Sequence, residues 1–287
     1  MADTSGQADI RGLDIDRVSK DYENEALVFK NLISNESTSS REIRWYQKTS
    51  GYLTLTSPAK LQVASGARPF IAESSWTRNT SYTKKYFLES PTISIEDEAD
   101  NDVQLLLENA KDNTDAIANA VDGNIWDVVS ENRSVTNINS VTATAAWDAA
   151  SGQDPFEDIM EGKEKIREQT QRKLKDGYLL VSAKGEKDLL VWLRVVGATI
   201  PTVAGSKIES GDLLGLAGLN VLVSEVVTAD YAMVADLKMA CVWKSFMPLT
   251  TRIITDEGIG KKIRSWENGI ALLVRPKYVA LISNTET

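Results

Sequence analysis

The sequence predicts an α+β fold organised around one long helix. Three observations point there. Residues 95–130 carry a single apolar stripe at helical spacing. Short β-prone runs, broken by glycine and proline and joined by brief helices, fill the second half of the chain. Near the N-terminus, a long strand-like stretch is too polar to bury a face of its own.

The helix starts at a plausible cap, Ser94, with Asp97 at the third helical position as a weaker capping box. Glu96, Asp97, Glu98, Asp100 and Asp102 crowd the first two turns, where the helix dipole favours negative charge. Val103, Leu106, Ala110, Ile117, Val121 and Val128 recur at three- and four-residue steps or their sums, which leaves the opposite face polar. Gly123 is the weak point, about 1 kcal/mol worse than alanine. At roughly 1.5 Å per residue the helix would span about 50 Å, far beyond the usual length. Periodicity alone suits a core helix or half of a coiled coil, and charge tips the balance. Residues 86–131 hold twelve acids against one base, Lys111, a net of −11. Residues 41–85 hold eight bases against two acids, Glu42 and Glu73, a net of +6. A basic extended segment directly before an acidic rod suits contact between one copy of the chain and the next.

Composition narrows the function classes. The chain has 287 residues, 42% of them hydrophobic, enough for one large domain or two. Its net charge of −9 argues against a general nucleic-acid-binding field, although local basic patches remain open. One cysteine, Cys241, stands in an apolar run and reads as a buried, inert thiol rather than a disulfide or metal ligand. The first residues show no signal-peptide pattern, and no apolar run is long enough for a membrane span. There is no histidine. That removes the commonest general base and metal ligand and rules out a Ser–His–Asp or Cys–His site within the chain. No catalytic, cofactor-binding or metal-ligating residue is therefore expected, and the prior for an enzyme falls.

In chain order, residues 1–25 read as an arm ordered only where it touches something, and residues 24–33 as a short helix. Residues 34–40 form a polar connection. Residues 41–48 and 52–56 are strand-like, 57–69 a loop tip with Pro58, Gly66 and Pro69, and 81–88 the returning strand. This long hairpin has no core and should rest on another surface. After the long helix, residues 132–145 suit a strand or strand pair. Asp154 followed by Pro155 opens a helix whose apolar side is Phe156, Ile159, Met160, Ile166 and Leu174. Residues 178–181 read as a buried strand and 186–195 as a helix with Leu189, Leu190 and Trp192 inward. Residues 198–211 are a loop. Strands follow at 220–227, 232–237 and 239–246, with a break near Lys238 and a further short strand at 250–254. After a glycine turn at 256–262, strands at 266–275 and 278–283 close the chain.

Glycine-rich pieces do not supply a phosphate site. Gly258–Lys262 has the outline of a phosphate loop, but Thr255 stands where the first glycine belongs and Lys262 where Ser or Thr must bind magnesium. Gly215–Gly218 reads as a turn. Carboxylates are plentiful, so a carboxylate-dependent hydrolase is a rival from another class, but the acids cluster in helical surface runs.

The order of elements resembles that of the major capsid proteins of tailed double-stranded DNA viruses, the Hong Kong 97 fold. The resemblance runs from NLISNESTSSREIRWYQKTSG through FLESPTISIEDEADNDVQLLLENA, DPFEDIMEGKEKIREQT and KDGYLLVSAKGEKDLLVWLR to SGDLLGLAGLNVLVSEVV and ENGIALLVRPKYVALIS. It implies an N-terminal arm at 1–33 and an extended loop at 34–92. It also implies a peripheral domain with the spine helix at 93–173 and 256–276, and an axial domain at 174–255 and 277–287. The implied function is a structural subunit of an icosahedral capsid, a homo-oligomer of hexamers and pentamers, assembled in a host cytoplasm, with no membrane and no cofactor. The shell would enclose DNA without reading its sequence. The family's extended loop lies over a neighbouring subunit. The expected inter-subunit contacts are therefore Arg41, Arg44, Lys48, Lys60, Arg68, Arg78, Lys84 and Lys85 on the loop, and Glu96, Asp97, Glu98, Asp100, Asp102 and Glu108 on the acidic helix. Only 33 residues precede Ser34, short for a built-in scaffold, so a separate scaffolding protein or none is expected beside portal and decoration proteins. No cross-link is predicted. An encapsulin-like nanocompartment shell shares the fold and differs in enclosing an enzyme.

Overall fold

The structure is a computed structural model that describes residues 12–50, 63–68, 75–96, 103–149, 151–174, 177–197 and 215–287. Two sheets carry the body. The first has strands β1 (Ser34–Ser37), β11 (Cys241–Asp256), β12 (Gly260–Leu273) and β4 (Lys84–Glu89) in that order, with β5 (Ile93–Ser94) also paired to β12. The second has β6 (Asn139–Thr142), β13 (Val279–Ser283), β10 (Tyr231–Ala235), β7 (Tyr178–Val181), β9 (Leu219–Val223) and β8 (Gly215–Leu216) in that order. Among the described residues, β2 (Glu42–Ser50) and β3 (Ser75–Tyr82) form a separate two-stranded sheet. The helices are α1 (Gly12–Ala26), α2 (Phe29–Leu32), α3 (Val103–Val129), α4 (Pro155–Thr170), α5 (Ala183–Gly197) and α6 (Leu237–Ala240).

The six-stranded sheet is apolar along its central strands because both of its faces are covered. In β10, Ala232 and Val234 join one cluster while Met233 and Ala235 join another; in β13, Ala280 and Ile282 face one way and Val279 and Leu281 the other. Strands buried on both faces lose the alternation that marks a solvated sheet. α4 covers one face, with Ile159 and Ile166 fully buried. Gly162 lets it approach closely: a Cβ there would lie 3.4 Å from the Val234 side chain. The Asp154 side chain accepts a hydrogen bond from Glu157 N at 3.1 Å, the cap that the sequence predicts. The inner side of α4 is narrower than expected, because Phe156 and Met160 are exposed.

α3 covers the other face and also packs on β12 and β4. Leu106, Ala110, Ile117 and Val121 are buried as the stripe requires. Beyond Val121 the 3.6 period lands on Ile125 and Val129, with Val128 half-buried on the flank. Ile95 and Glu96 are helical after β5, and Asp97, Glu98, Asp100 and Asp102 lie outside the described residues.

Several elements differ from expectation. The region read as an arm contains α1, whose Ile15 is fully buried with Ile93, Leu106, Ala110 and Ile263. The polar connection at 34–40 begins with β1, which runs parallel to β11 from Ser34↔Val242 to Ser37↔Ser245. The break near Lys238 is α6, capped by the Asp236 carboxylate, and the two strands expected afterwards are one bulged strand, β11. In α5, Leu189 is buried, but Trp192 is only half-buried and Leu193 packs inward. The expected strand at 220–227 ends at Val223, and β8 precedes it across a tight turn in which Ala217 and Gly218 take positive φ of 52° and 72°. The loop expected at 198–211 lies outside the described residues. The boundary expected at 255/256 falls within the last residues of β11, which pair with the start of β12 in one sheet.

Candidate assembly surfaces

The two-stranded ribbon β2–β3 is exposed along much of its length, with Ile43 its one buried apolar side chain among the described residues. Its register runs from Glu42↔Tyr82 to Ser50↔Ser75 with one irregularity. Polar cross-strand contacts hold it: Trp45 Nε1 donates to Ser81 Oγ at 2.9 Å, and the Thr49 and Thr77 hydroxyls are 3.3 Å apart. Arg41, Arg44 and Arg78 are exposed, with Arg44 Nε 3.2 Å from Glu42 Oε1. Lys48 is half-buried, its ammonium 5.6 Å from the Trp76 ring. Arg68 is exposed, and Lys60 lies outside the described residues.

The ribbon has little core of its own, and at its root the surface that supports it is the body of the same chain rather than a neighbouring copy. Ile43 is buried against Ile270 and Leu272, with Trp45 and Val274 packed beside them. Lys48 N donates to Val274 O at 2.9 Å, and Gln47 Nε2 to Leu273 O at 3.1 Å. The returning strand predicted at 81–88 is split at buried Thr83. β3 serves the ribbon, whereas β4 joins β12 from Gly269↔Lys84 to Arg264↔Glu89. Lys84 and Lys85 therefore belong to the edge strand of the five-stranded sheet, where exposed lysines discourage strand addition. Lys85 Nζ lies 4.3 Å from the Phe87 ring.

The acidic surface is smaller than the charge count suggests. Glu96 and Glu108 are exposed. Asp122, counted among the rod's acids, points inward instead. Its carboxylate accepts hydrogen bonds from Val28 N, Phe29 N and Lys30 N at 2.7, 3.1 and 3.0 Å and so caps α2. Burial raises its pKa above the usual aspartate value, and the three N–H donors oppose that rise. Glu89 is also spoken for. Lys262 Nζ lies 3.0 Å and Arg264 NH2 2.5 Å from its oxygens, and hydrogen bonds from these two cations hold its carboxyl below the usual glutamate value.

One buried junction escaped the sequence reading. Lys30 bridges Glu23 and Glu267, its ammonium 2.6 Å from Glu267 Oε1 and 5.8 Å from the Trp243 ring. Burial raises the Glu267 pKa and Lys30 opposes it. Burial also pushes the Tyr86 hydroxyl up, with the Glu267 charge adding to the effect, and the Tyr86 ring packs on Trp243 with centroids 6.5 Å apart. α1, α2, the returning strand β4 and the central strands β11 and β12 meet there. Lys30 and Glu267 are 237 residues apart, and no local pattern links them. Burial pushes the Cys241 thiol up to about 12, as suits an inert core thiol. Among the described residues, no group of Cys, Asp and Glu is placed to hold a metal ion.

Comparisons with known proteins bear on this architecture. A family model described as phage capsid protein matches residues 92–282. No curated protein matches. Among solved structures, the capsid of cyanophage P-SCSP1u is similar with a TM-score of 0.67 at 14% identity, covering 100% of this chain and 93% of that one. A chain from Mycobacterium phage Che8 gives a TM-score of 0.63 at 18% identity, covering 91% and 92%. The virus-like particle from Pyrococcus furiosus gives 0.63 at 10% identity, covering 94% and 98%. These likenesses carry the Hong Kong 97-type fold.

Proposed function

This chain belongs to the phage capsid protein family, and on that premise we propose how its surfaces build the shell. It is a structural subunit of a viral capsid, used in many copies in the virion. The finer reading is an icosahedral shell of hexamers and pentamers around double-stranded DNA, assembled in the host cytoplasm. In it, the ribbon of each copy lies across the acidic helix of the next. The division expected from the sequence, a peripheral domain at 93–173 and 256–276 and an axial domain at 174–255 and 277–287, is redrawn in this reading along the two sheets. The five-stranded sheet with the first part of α3 serves as the peripheral domain, and the six-stranded sheet with α4 and α5 as the axial domain.

The observation that supports this most is the shape and charge of the ribbon. A two-stranded sheet with exposed Arg41, Arg44 and Arg78 projects from a hydrophobic root on the body, while Glu96 and Glu108 are exposed on another element. Single exposed ion pairs contribute about 0–1 kcal/mol, so such contacts matter only when many copies repeat them. Replacing Arg41, Arg44 and Arg78 with Glu is expected to leave the subunit folded and to lower the yield of closed particles. Particle yield would be followed by negative-stain microscopy and sedimentation across a salt series. Unchanged yield and unchanged salt dependence would overturn the electrostatic contact. Lys84→Glu with Lys85→Glu tests the sheet edge separately.

A further inference from the structure

We propose that the cleft between the ribbon root and the body binds a phosphate group. The cleft is a cavity of 380 Å³ lined by Lys48 and Trp76 from the ribbon, Gln171 and Arg172 from the end of α4, and Arg275 and Tyr278 from the turn before β13. Three cationic side chains converge on it, and no carboxylate lines it among the described residues. Arg172 is exposed and Arg275 half-buried, and among the described residues neither guanidinium has a carboxylate within 4.0 Å. In a chain of net charge −9, a cavity whose described lining holds three cations and no carboxylate is out of character with the rest of the molecule.

The chemistry favours a phosphate over a lone carboxylate. The two guanidinium forks alone present more positive charge than one carboxylate balances, and their geometry matches phosphate oxygens in pairs. The C-terminal end of α4 works against an anion, but it carries only about half a negative charge, against the two full positive charges of Arg172 and Arg275. That same end favours Arg172 where it stands. The indole of Trp76 lies 5.6 Å from the Lys48 ammonium and forms an apolar wall on the ribbon side. A phosphate bound here would neutralise cations on both the ribbon and the body, and so fix the angle at which the ribbon leaves its root. The same chemistry is offered by free inorganic phosphate and by the phosphodiester of a nucleic acid strand.

Calorimetric titration of the full-length, unassembled subunit at fixed ionic strength tests the site, with inorganic phosphate in one arm and a short single-stranded DNA in the other. Saturable binding is expected, weakened about tenfold or more in Arg172→Gln/Arg275→Gln and unchanged in Arg194→Gln, which changes a cation on a different helix. Binding in the phosphate arm identifies the free ion as sufficient, and binding in the DNA arm alone identifies the nucleic-acid backbone as the source. Should the double variant melt early, Lys48→Gln, on the ribbon side, must weaken binding in its place. Bound phosphate must also slow amide exchange at the ribbon root. Absence of saturable binding in both arms, or binding that survives these substitutions, would overturn the site. The measurement is made on single subunits, so its failure would leave the shell reading untouched.

Discussion

The ribbon and the six-stranded sheet are both β-structure, yet they solve opposite problems. In the sheet, Leu179, Val181, Met233, Val234, Val279 and Ile282 are 0% exposed. Its strands are held by what covers them on both sides. In the ribbon, Ile43 is the only buried apolar residue among the described residues, and Tyr46, Trp76 and Tyr82 stand open at 55%, 44% and 65%. Its strands are held by their ladder, a few polar cross-strand contacts and a small root. Stability is concentrated in one region and available contact surface in the other, as expected where one chain must both fold alone and bind its copies.

The largest test falls where the two regimes meet. Lys30→Met would leave Glu23 and Glu267 without their shared cation in a buried site, a loss of about 3–5 kcal/mol in urea unfolding. Next comes the sheet itself. Leu281→Ala should cost about 2–5 kcal/mol in the same measurement, and particles should fail only because subunits unfold. At the ribbon root, Ile43→Ala should cost about 2 kcal/mol at most, since that cluster is small. Its amide exchange should quicken across β2 and β3 while the six-stranded sheet stays protected. A uniform loss of protection would mean that ribbon and sheet are one cooperative unit and would break the comparison.

The smallest effect concerns Glu89, at the foot of the ribbon's return. Its carboxyl titrates below the ordinary value of 4.5 because Lys262 and then Arg264 hydrogen-bond it. A depressed carboxylate contributes stability above its unfolded value and loses it as pH falls through the folded value. The stability difference between wild type and Glu89→Gln should therefore be present at neutral pH and vanish in acid. A difference that persists in strong acid would show that the clamp works by packing rather than charge.

Much of the architecture was legible in residue order. The cap at Asp154, the stripe from Leu106 to Val121, the turn at Gly215–Gly218 and the closing strands are local patterns, and they held because local patterns set local conformation. The splitting of the return strand at Thr83 was not legible, because both halves are equally β-prone and only the partner strand distinguishes them. Asp122 looked like one more acid on a solvated helix face, until α2 placed three backbone N–H groups against it. The cation cluster of Lys48, Arg172 and Arg275 joins three distant segments, and spacing in the sequence carries no trace of it.

The sequence by itself determined the α+β character, the long amphipathic helix, the absence of histidine chemistry and the polar nature of the ribbon, because composition and period are properties of neighbours along the chain. The tertiary structure alone decided which acids face solvent, which strand the ribbon keeps and where Lys30 finds Glu267. Burial and charge pairing depend on groups brought together from hundreds of residues apart, and those groups change what each side chain can do.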